Sequence, residues 1–301
     1  MKYTTKALKI KYVLIYFILF FLIQNSFAQE EHDYYGAIKL NDSTLISYKL
    51  VFQLNKDNSI SGYSITDLAG EHETKSQVIG KYDEDSKILN FNETSIIYTK
   101  SPVSELDFCF IHFYSDAFRI NKSNKLSGVF VGKFSDNSEC INGVIRMQKS
   151  EKLIQRMTKV SKKIENSNRI PDSLKQRVNP IKMMDKLNMN VLKEKEVMSV
   201  FSSQEKLQLI LYDGGQEDGD VVSIFVNGKS ILNKHLISNQ KQILNIALTT
   251  DKTRIVIKAE SVGTISTNTA VIEINDNKNN IRALTNLKKG EETTIDILKS
   301  K

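Results

Sequence analysis

The chain has 301 residues, 40% of them hydrophobic and 26% charged, with three prolines, no tryptophan and a formal net charge of +7. The hydrophobic content is enough for packed cores, and the length exceeds a single typical domain and suits two joined by a connector. The charge is local: residues 149–200 carry thirteen basic and six acidic side chains, and four lysines fall in the first eleven residues. A basic balance of that origin, with no interleaved aromatic platform for stacking bases, argues against nucleic-acid binding.

Residues 1–28 read as a secretion signal. Lys2, Lys6, Lys9 and Lys11 precede the apolar run Tyr12–Ile23, and Ser26-Phe27-Ala28 supplies small residues for cleavage, so the mature chain is expected to begin at Gln29. Twelve apolar residues are too few to span a bilayer, which leaves an uncleaved anchor as the lesser alternative. No cysteine sits immediately after the cut, so a lipid anchor is not expected, and the protein is expected to be secreted or periplasmic.

Residues 29–148 form the first predicted domain, an antiparallel β-barrel or sandwich. Short runs rich in β-branched and aromatic residues follow one another from Tyr34–Leu40 to Cys140–Met147, with Lys87–Phe91 and Ser95–Tyr98 read as two separate strands. Asn, Asp, Ser and Gly separate most of them, and no helical period intervenes. Gly62, Gly80, Gly128 and Gly143 each sit just inside a strand, where glycine marks a bend or a close approach of backbones. An interior filled by its own side chains is the expectation, and a ligand-holding barrel is the alternative.

Both cysteines, Cys109 and Cys140, fall in this region. Export favours a disulfide between them, and closing a loop of about 32 residues stabilises the fold by roughly 3 to 4 kcal/mol on the chain-entropy model. A thiol nucleophile needs a histidine, and His112 at an odd offset from Cys109 lies on the other face of a strand.

Residues 149–204 read as a basic helical linker. Leu153, Ile154, Met157, Val160 and Ile164 recur at helical spacing within 150–166, with lysines and Arg156 on the remaining faces. A weaker helical stretch follows from Met183 to Val200, after Pro171 and Pro180. The apolar stripe is expected to pack on a neighbouring β domain; contact with an anionic membrane surface is the alternative.

Residues 205–301 are predicted to form an immunoglobulin-like β-sandwich of about eight strands. Between Lys206–Tyr212 and Val221–Val226 lies Asp-Gly-Gly-Gln-Glu-Asp-Gly-Asp, residues 213–220, with four carboxylates in eight residues. Asn227-Gly228 then signals a type I′ hairpin. Asp213, Glu217, Asp218 and Asp220 are the candidate ligand or metal residues of the chain. Asp in turns ordinarily accepts hydrogen bonds from loop amides, and that structural role is the expectation. Ca²⁺ is the alternative, although the loop lacks the alternating ligands and distal Glu of an EF-hand. If consecutive strands run antiparallel, every second connection shares one end of the sandwich, which brings Asn268 near the Asp220 end of the loop as a hydrogen-bond partner or, less favoured, a co-ligand.

The Asp-Gly-Asp run, its following strand and Asn-Gly, then Gly263 and Asn268-Thr269-Ala270, resemble a C-terminal module of uncharacterised secreted two-domain bacterial β-proteins. The resemblance covers about a third of the chain; it implies export and a β-sandwich, and brings no activity. Enzyme signatures are missing from the sequence: His32, His72, His112 and His235 lack metal spacing, and no nucleophile elbow, zinc helix, P-loop or dinucleotide fingerprint occurs. The expected protein is a non-enzymatic binding or structural component of the bacterial cell envelope that needs no cofactor and meets an envelope protein or glycan. A small-ligand carrier built on the barrel, and a hydrolase with an unrecognised acidic site, are the alternatives.

Overall fold

The computed structural model describes residues 30–102, 107–171, 175, 189–214, 217–263 and 267–300. The segment read as a secretion signal lies outside the described residues, and among those described no helix is long and apolar enough to cross a membrane. The fold is mostly β, with one helix among the described residues that form named elements.

Eight strands form a closed antiparallel barrel: β1 (Glu31–Leu40), β2 (Leu45–Leu54), β3 (Ser59–Thr66), β4 (Thr74–Asp83), β5 (Ile88–Thr99), β6 (Phe110–Ser115), β7 (Lys125–Lys133) and β8 (Glu139–Lys149). Each pairs with the next, β8 returns to β1, and a short β5–β6 pairing at Asn90–Asn92 completes the circuit. Alternation decides what lies inside. Tyr34 and Ile38, Tyr48, Leu50 and Phe52, Leu89 and Phe91, Ile111 and Phe113, and Ile145 and Met147 all point into one buried cluster. Aromatic rings occupy the interior, with Phe91 and Phe113 stacked at 4.8 Å and Phe118, from the β6–β7 connection, meeting Tyr34 edge-on at 6.0 Å. Burial of these side chains and the continuous ladder of hydrogen bonds hold the barrel together.

The glycines explain how the strands coil tightly enough to close. Gly36, Gly62, Gly80 and Gly128 share the inward phase of their neighbours, and a Cβ at Gly36 would lie 1.9 Å from the Arg146 carbonyl oxygen on the adjoining strand. At Gly62 the corresponding distance, to the Val51 oxygen, is 2.0 Å. These are close approaches of backbone that no side chain permits. Cys109 and Cys140 form a disulfide with 6.1 Å between Cα atoms. The bridge joins the approach to β6 with β8 across the intervening β7, where Gly132 makes room: a Cβ there would sit 2.4 Å from the Cys109 Sγ.

The sequence predicts two strands where β5 is one. Asn92-Glu93-Thr94 has the polarity of a turn, but Glu93 keeps the phase of Leu89 and Phe91 and faces the interior. Its Oε1 accepts hydrogen bonds from the Tyr48 hydroxyl (3.0 Å) and the Ser64 hydroxyl (2.5 Å), and its Oε2 accepts one from the Ile111 amide (3.0 Å).

Helix α1 (Ser150–Glu165) follows β8 directly, with Glu151 in its first turn and Lys162 and Lys163 in its last, each favourable to the helix dipole. Leu153 and Met157 pack on Tyr35, Ile65 and Leu68 of the barrel exterior, while Ile154 and Val160 remain exposed. The helical reading of Met183–Val200 requires correction within the described residues: Val191–Leu192 is a strand, β9, and β10 runs over Val197–Ser202. Met198 and Val200 alternate toward the core, a period-two pattern carried by β-branched neighbours that is easily mistaken for one helical face in so short a run. Residues 176–188 lie outside the described residues.

The remaining strands are β11 (Lys206–Asp213), β12 (Val221–Val226), β13 (Lys229–Leu236), β14 (Gln242–Ala247), β15 (Lys252–Ser261), β16 (Ala270–Asn275), β17 (Asn280–Thr285) and β18 (Glu292–Lys299). They form two layers, β14-β11-β16-β17-β9 and β13-β12-β15-β18-β10. Leu207, Leu209 and Leu211 with Ile272 and Ile274 from the first face Ile224, Ile255, Ile257, Ile295 and Ile297 from the second across one core. Asn227 and Gly228 both have positive φ, 49° and 79°, as the type I′ hairpin between β12 and β13 requires. The second layer is continuous with the barrel: β10 pairs in parallel with β18 and antiparallel with the end of β5, at Thr99 and Tyr98.

Candidate functional site

The acidic loop lies between β11 and β12, and Gly214, Glu217, Asp218, Gly219 and Asp220 of it are described. Asp213 is the last residue of β11 and is buried; its amide donates to the Ser238 carbonyl at 2.8 Å. Glu217 Oε1 accepts the Asn239 amide at 2.7 Å. The Asp218 carbonyl lies against Gly263, where a Cβ would come within 2.2 Å of its oxygen. Gly219, at φ +94°, turns the chain into β12 and presents its carbonyl to the Ser261 hydroxyl.

Asp220 is the centre of the arrangement and is 2% exposed. Its Oδ1 accepts the Gly263 amide at 2.9 Å and its Oδ2 the Thr269 amide at 2.8 Å, so one carboxylate ties both ends of the connection that precedes β16 to the acidic loop. Burial pushes its pKa up; the two amides counter this in part, and the charges of Asp218 and Asp213 add to the rise. Asn268, fully buried, stands beside it. The Asn268 Nδ2 donates to the Ser261 carbonyl (3.1 Å) and the Val221 carbonyl (3.4 Å), its Oδ1 accepts from the Thr285 hydroxyl (3.4 Å), and its backbone is bridged to Leu287. The loops at 213–220, 237–241 and 261–269 therefore meet at one end of the sandwich.

Chemically, this is a clasp of carboxylate and amide groups directed at backbone. Among the described residues no group of three or more His, Cys, Asp and Glu side chains converges as a metal ion requires. The Asp220 oxygens are both engaged by amides, and the Asn268 carbonyl is turned to Thr285. The partners of Asp220, Gly263 and Thr269, are invisible to a motif search because backbone amides carry no residue signature. Glu93 is missed as well, because its polarity reads as a turn; its phase with Leu89 and Phe91 is the signal that could have found it.

Asp220→Ala is expected to destabilise the fold by about 2 to 3 kcal/mol, since two amides lose a charged acceptor. Asp220→Asn is expected to recover only part, because an amide side chain cannot accept at both ends. Urea titration checks this; a midpoint within error of wild type for the alanine variant would show that the clasp contributes nothing.

No protein-family model matches the chain, and no curated protein matches it. Among solved structures, the chain is similar to the major pilin protein T3.2 from Streptococcus pyogenes serotype GAS13637, at 8% identity over 91% of each chain. The TM-score is 0.13, too low to bear on fold or function.

Proposed function

We propose that the protein is a secreted or periplasmic, non-enzymatic binding or structural protein of the bacterial cell envelope. In this reading the barrel and an immunoglobulin-like sandwich form a rigid frame, and the loop cluster around Asp220 meets an envelope protein or glycan. The observation that carries it is the use of the acidic loop: the Glu217 and Asp220 carboxylates accept neighbouring backbone amides, which fixes the shape of the loop cluster as a surface for a partner. The aromatic filling of the barrel weighs against the carrier reading. The immunoglobulin-like assignment draws support from the pairing of β11 with β14 in one layer and of β12 with β15 in the other, strands that alternate between the layers.

Affinity capture from the envelope fraction of the source cells tests the reading. A stoichiometric partner held by wild type and lost from the double variant Glu217→Lys, Lys289→Glu, both exposed positions of loops at that end, supports it. Hydrolysis of ester, peptide or glycoside substrates that disappears in Asp218→Asn overturns it. The loop is read as a hydrogen-bonded clasp and not as a Ca²⁺ site, so the melting temperature is expected to be the same in millimolar Ca²⁺ and in EDTA. A rise with Ca²⁺ would restore the metal.

A further inference from the structure

The barrel closes on itself, whereas the two layers of the sandwich end, among the described residues, in the edge strands β9, β14 and β13. An open edge offers unpaired amides and carbonyls to another chain, and proteins ordinarily blunt it by shortness, charge or a bulge. β9 has only two residues. β13 carries Lys229, Lys234 and His235, its register with β12 shifts twice, and Lys234 takes a positive φ of 45°. β14 has none of these devices.

Its sequence, Gln-Ile-Leu-Asn-Ile-Ala, is uncharged, and it pairs with β11 in one unbroken register from Gln242 opposite Leu211 to Ala247 opposite Lys206. The next position of that ladder is hydrogen-bonded, the Leu248 amide donating to the Glu205 carbonyl at 2.8 Å. Bonding alternates along an antiparallel strand, so Gln242, Leu244 and Ile246 turn their main chains to β11. Ile243, Asn245 and Ala247 therefore direct N–H and C=O away from it, along the open edge. The side chains of these three are exposed, Ile243 to 49%, while Leu244 and Ile246 belong to the core.

The strand is complementary to itself. A twofold axis normal to the sheet lays two copies of one edge antiparallel, and residues that then face each other must lie on the same side of the sheet. With the axis at Asn245, Ile243 meets Ala247 of the second copy and Asn245 meets its own counterpart. These are the residues whose main chains point outward, so about six hydrogen bonds form, two for each opposed pair. The same register sets Leu244 opposite Ile246 of the second copy and carries each core across the axis. On the outer face, Gln208 Nε2 already donates to Asn245 Oδ1 at 3.4 Å, and the Asn245 amide can extend that polar row to its counterpart. No like charges oppose: Lys241 before the strand is paired with Glu273 at 3.1 Å, and in this register it faces Thr249.

We propose that β14 is a docking edge for a second copy of this chain, joined antiparallel about a twofold axis at Asn245 so that the two first layers become one continuous sheet. The bulge and lysines of β13 confine the contact to that layer. Because the joined strands run in opposite directions, the two loop clusters around Asp220 face opposite ends of the dimer. The proposal goes beyond the partner-binding reading above and does not rest on it.

Sedimentation equilibrium of the exported chain over micromolar concentrations tests it, and a monomer–dimer equilibrium is expected. Asn245→Lys sets two ammonium groups against each other at the axis and is expected to raise the dimer Kd tenfold or more at low ionic strength, with part of the loss recovered in NaCl. Asn245→Pro is expected to do the same without salt recovery, since the amide it removes points away from β11. Circular dichroism of both variants is expected to match wild type, because Asn245 is exposed and its main chain bonds to no strand of its own sheet. Asn245→Cys is expected to give a disulfide-linked dimer on air oxidation: both native cysteines are bridged, and opposed Cα atoms in such a pair stand about 5.5 Å apart. Ile231→Cys on β13, also exposed, is expected to give none. A monomer at every concentration, whatever else is found to bind the edge, would overturn the proposal. So would a dimer unaffected by both the lysine and the proline variants, or cross-linking through Ile231→Cys as efficient as through Asn245→Cys.

Discussion

Replacing Glu93 by leucine is expected to destabilise the protein by about 3 to 5 kcal/mol, because it strands three buried donors at once. The Tyr48 hydroxyl, the Ser64 hydroxyl and the Ile111 amide all direct their hydrogens at the Glu93 carboxylate, and all four residues are buried. Glutamine is expected to cost far less. Its carbonyl can take the Ile111 amide, and its NH₂ can donate to the two hydroxyl oxygens, which accept as readily as they donate. Comparison of the two proteins also isolates the titration of this one group. Burial raises the Glu93 pKa above 4.5, and the three donors pull it back only in part. Between the ordinary and the raised value the folded chain holds a proton that the unfolded chain has released, so this group's contribution to stability is complete below the ordinary value and is lost as pH rises through the folded one. Wild type should therefore gain on Glu93→Gln as pH is lowered through that window. Urea midpoints of both proteins across the acid range measure it; a wild type that loses ground to the glutamine variant on acidification would show that the three donors, and not burial, set the pKa.

The second large effect concerns closure of the barrel. Gly36→Val is expected to cost about 3 kcal/mol or more, at the upper end of overpacking penalties. The obstacle is backbone: a Cβ at this position meets the Arg146 carbonyl oxygen at 1.9 Å and the Met147 Cα at 2.6 Å, and neither can rotate away. Since Gly36 pairs with Met147 on the seam between first and last barrel strands, the accommodation has to come from parting β1 and β8. Hydrogen exchange should then accelerate at the amides of Ala37 to Lys39 and Val144 to Arg146 ahead of the rest of the barrel. Gly228→Ala provides the contrast, with positive φ but open space around it, and is expected to cost only about 1 to 2 kcal/mol. Equal behaviour of the two variants would mean that backbone crowding at Gly36 is relieved without opening the seam.

Much of the architecture is written in short-range patterns. Strand phase, the hairpin at Asn227-Gly228, the helix from 150 and the two cysteines are all readable because each depends on residues near one another or on a count of two. The errors share a cause. Asn92-Glu93-Thr94 reads as a turn because polarity is scored without knowing that Tyr48, Ser64 and Ile111 wait on neighbouring strands. Val197–Val200, the end of the stretch read as helix from Met183, is too short to distinguish the two periods, and only the β18 ladder decides. At the acidic loop the carboxylates were legible as a cluster, but their destination was not, since Gly263 and Thr269 act through their main chains.

The shared edge between barrel and sandwich has a mechanical meaning. β18 lies parallel to β10 over six residue pairs, Val197 with Thr294 through to Ser202 with Lys299, and β10 in turn is stitched to Thr99 and Tyr98 of the barrel wall. The Tyr98 ring belongs to the sandwich core while its hydroxyl is bonded to Glu73 on the barrel. Tension that drags β18 lengthwise along β10 loads those rungs together, in shear, whereas peeling would break them one by one. A pull on the last strand is thereby passed into the barrel wall through the hydrogen bonds that β10 makes on both of its edges.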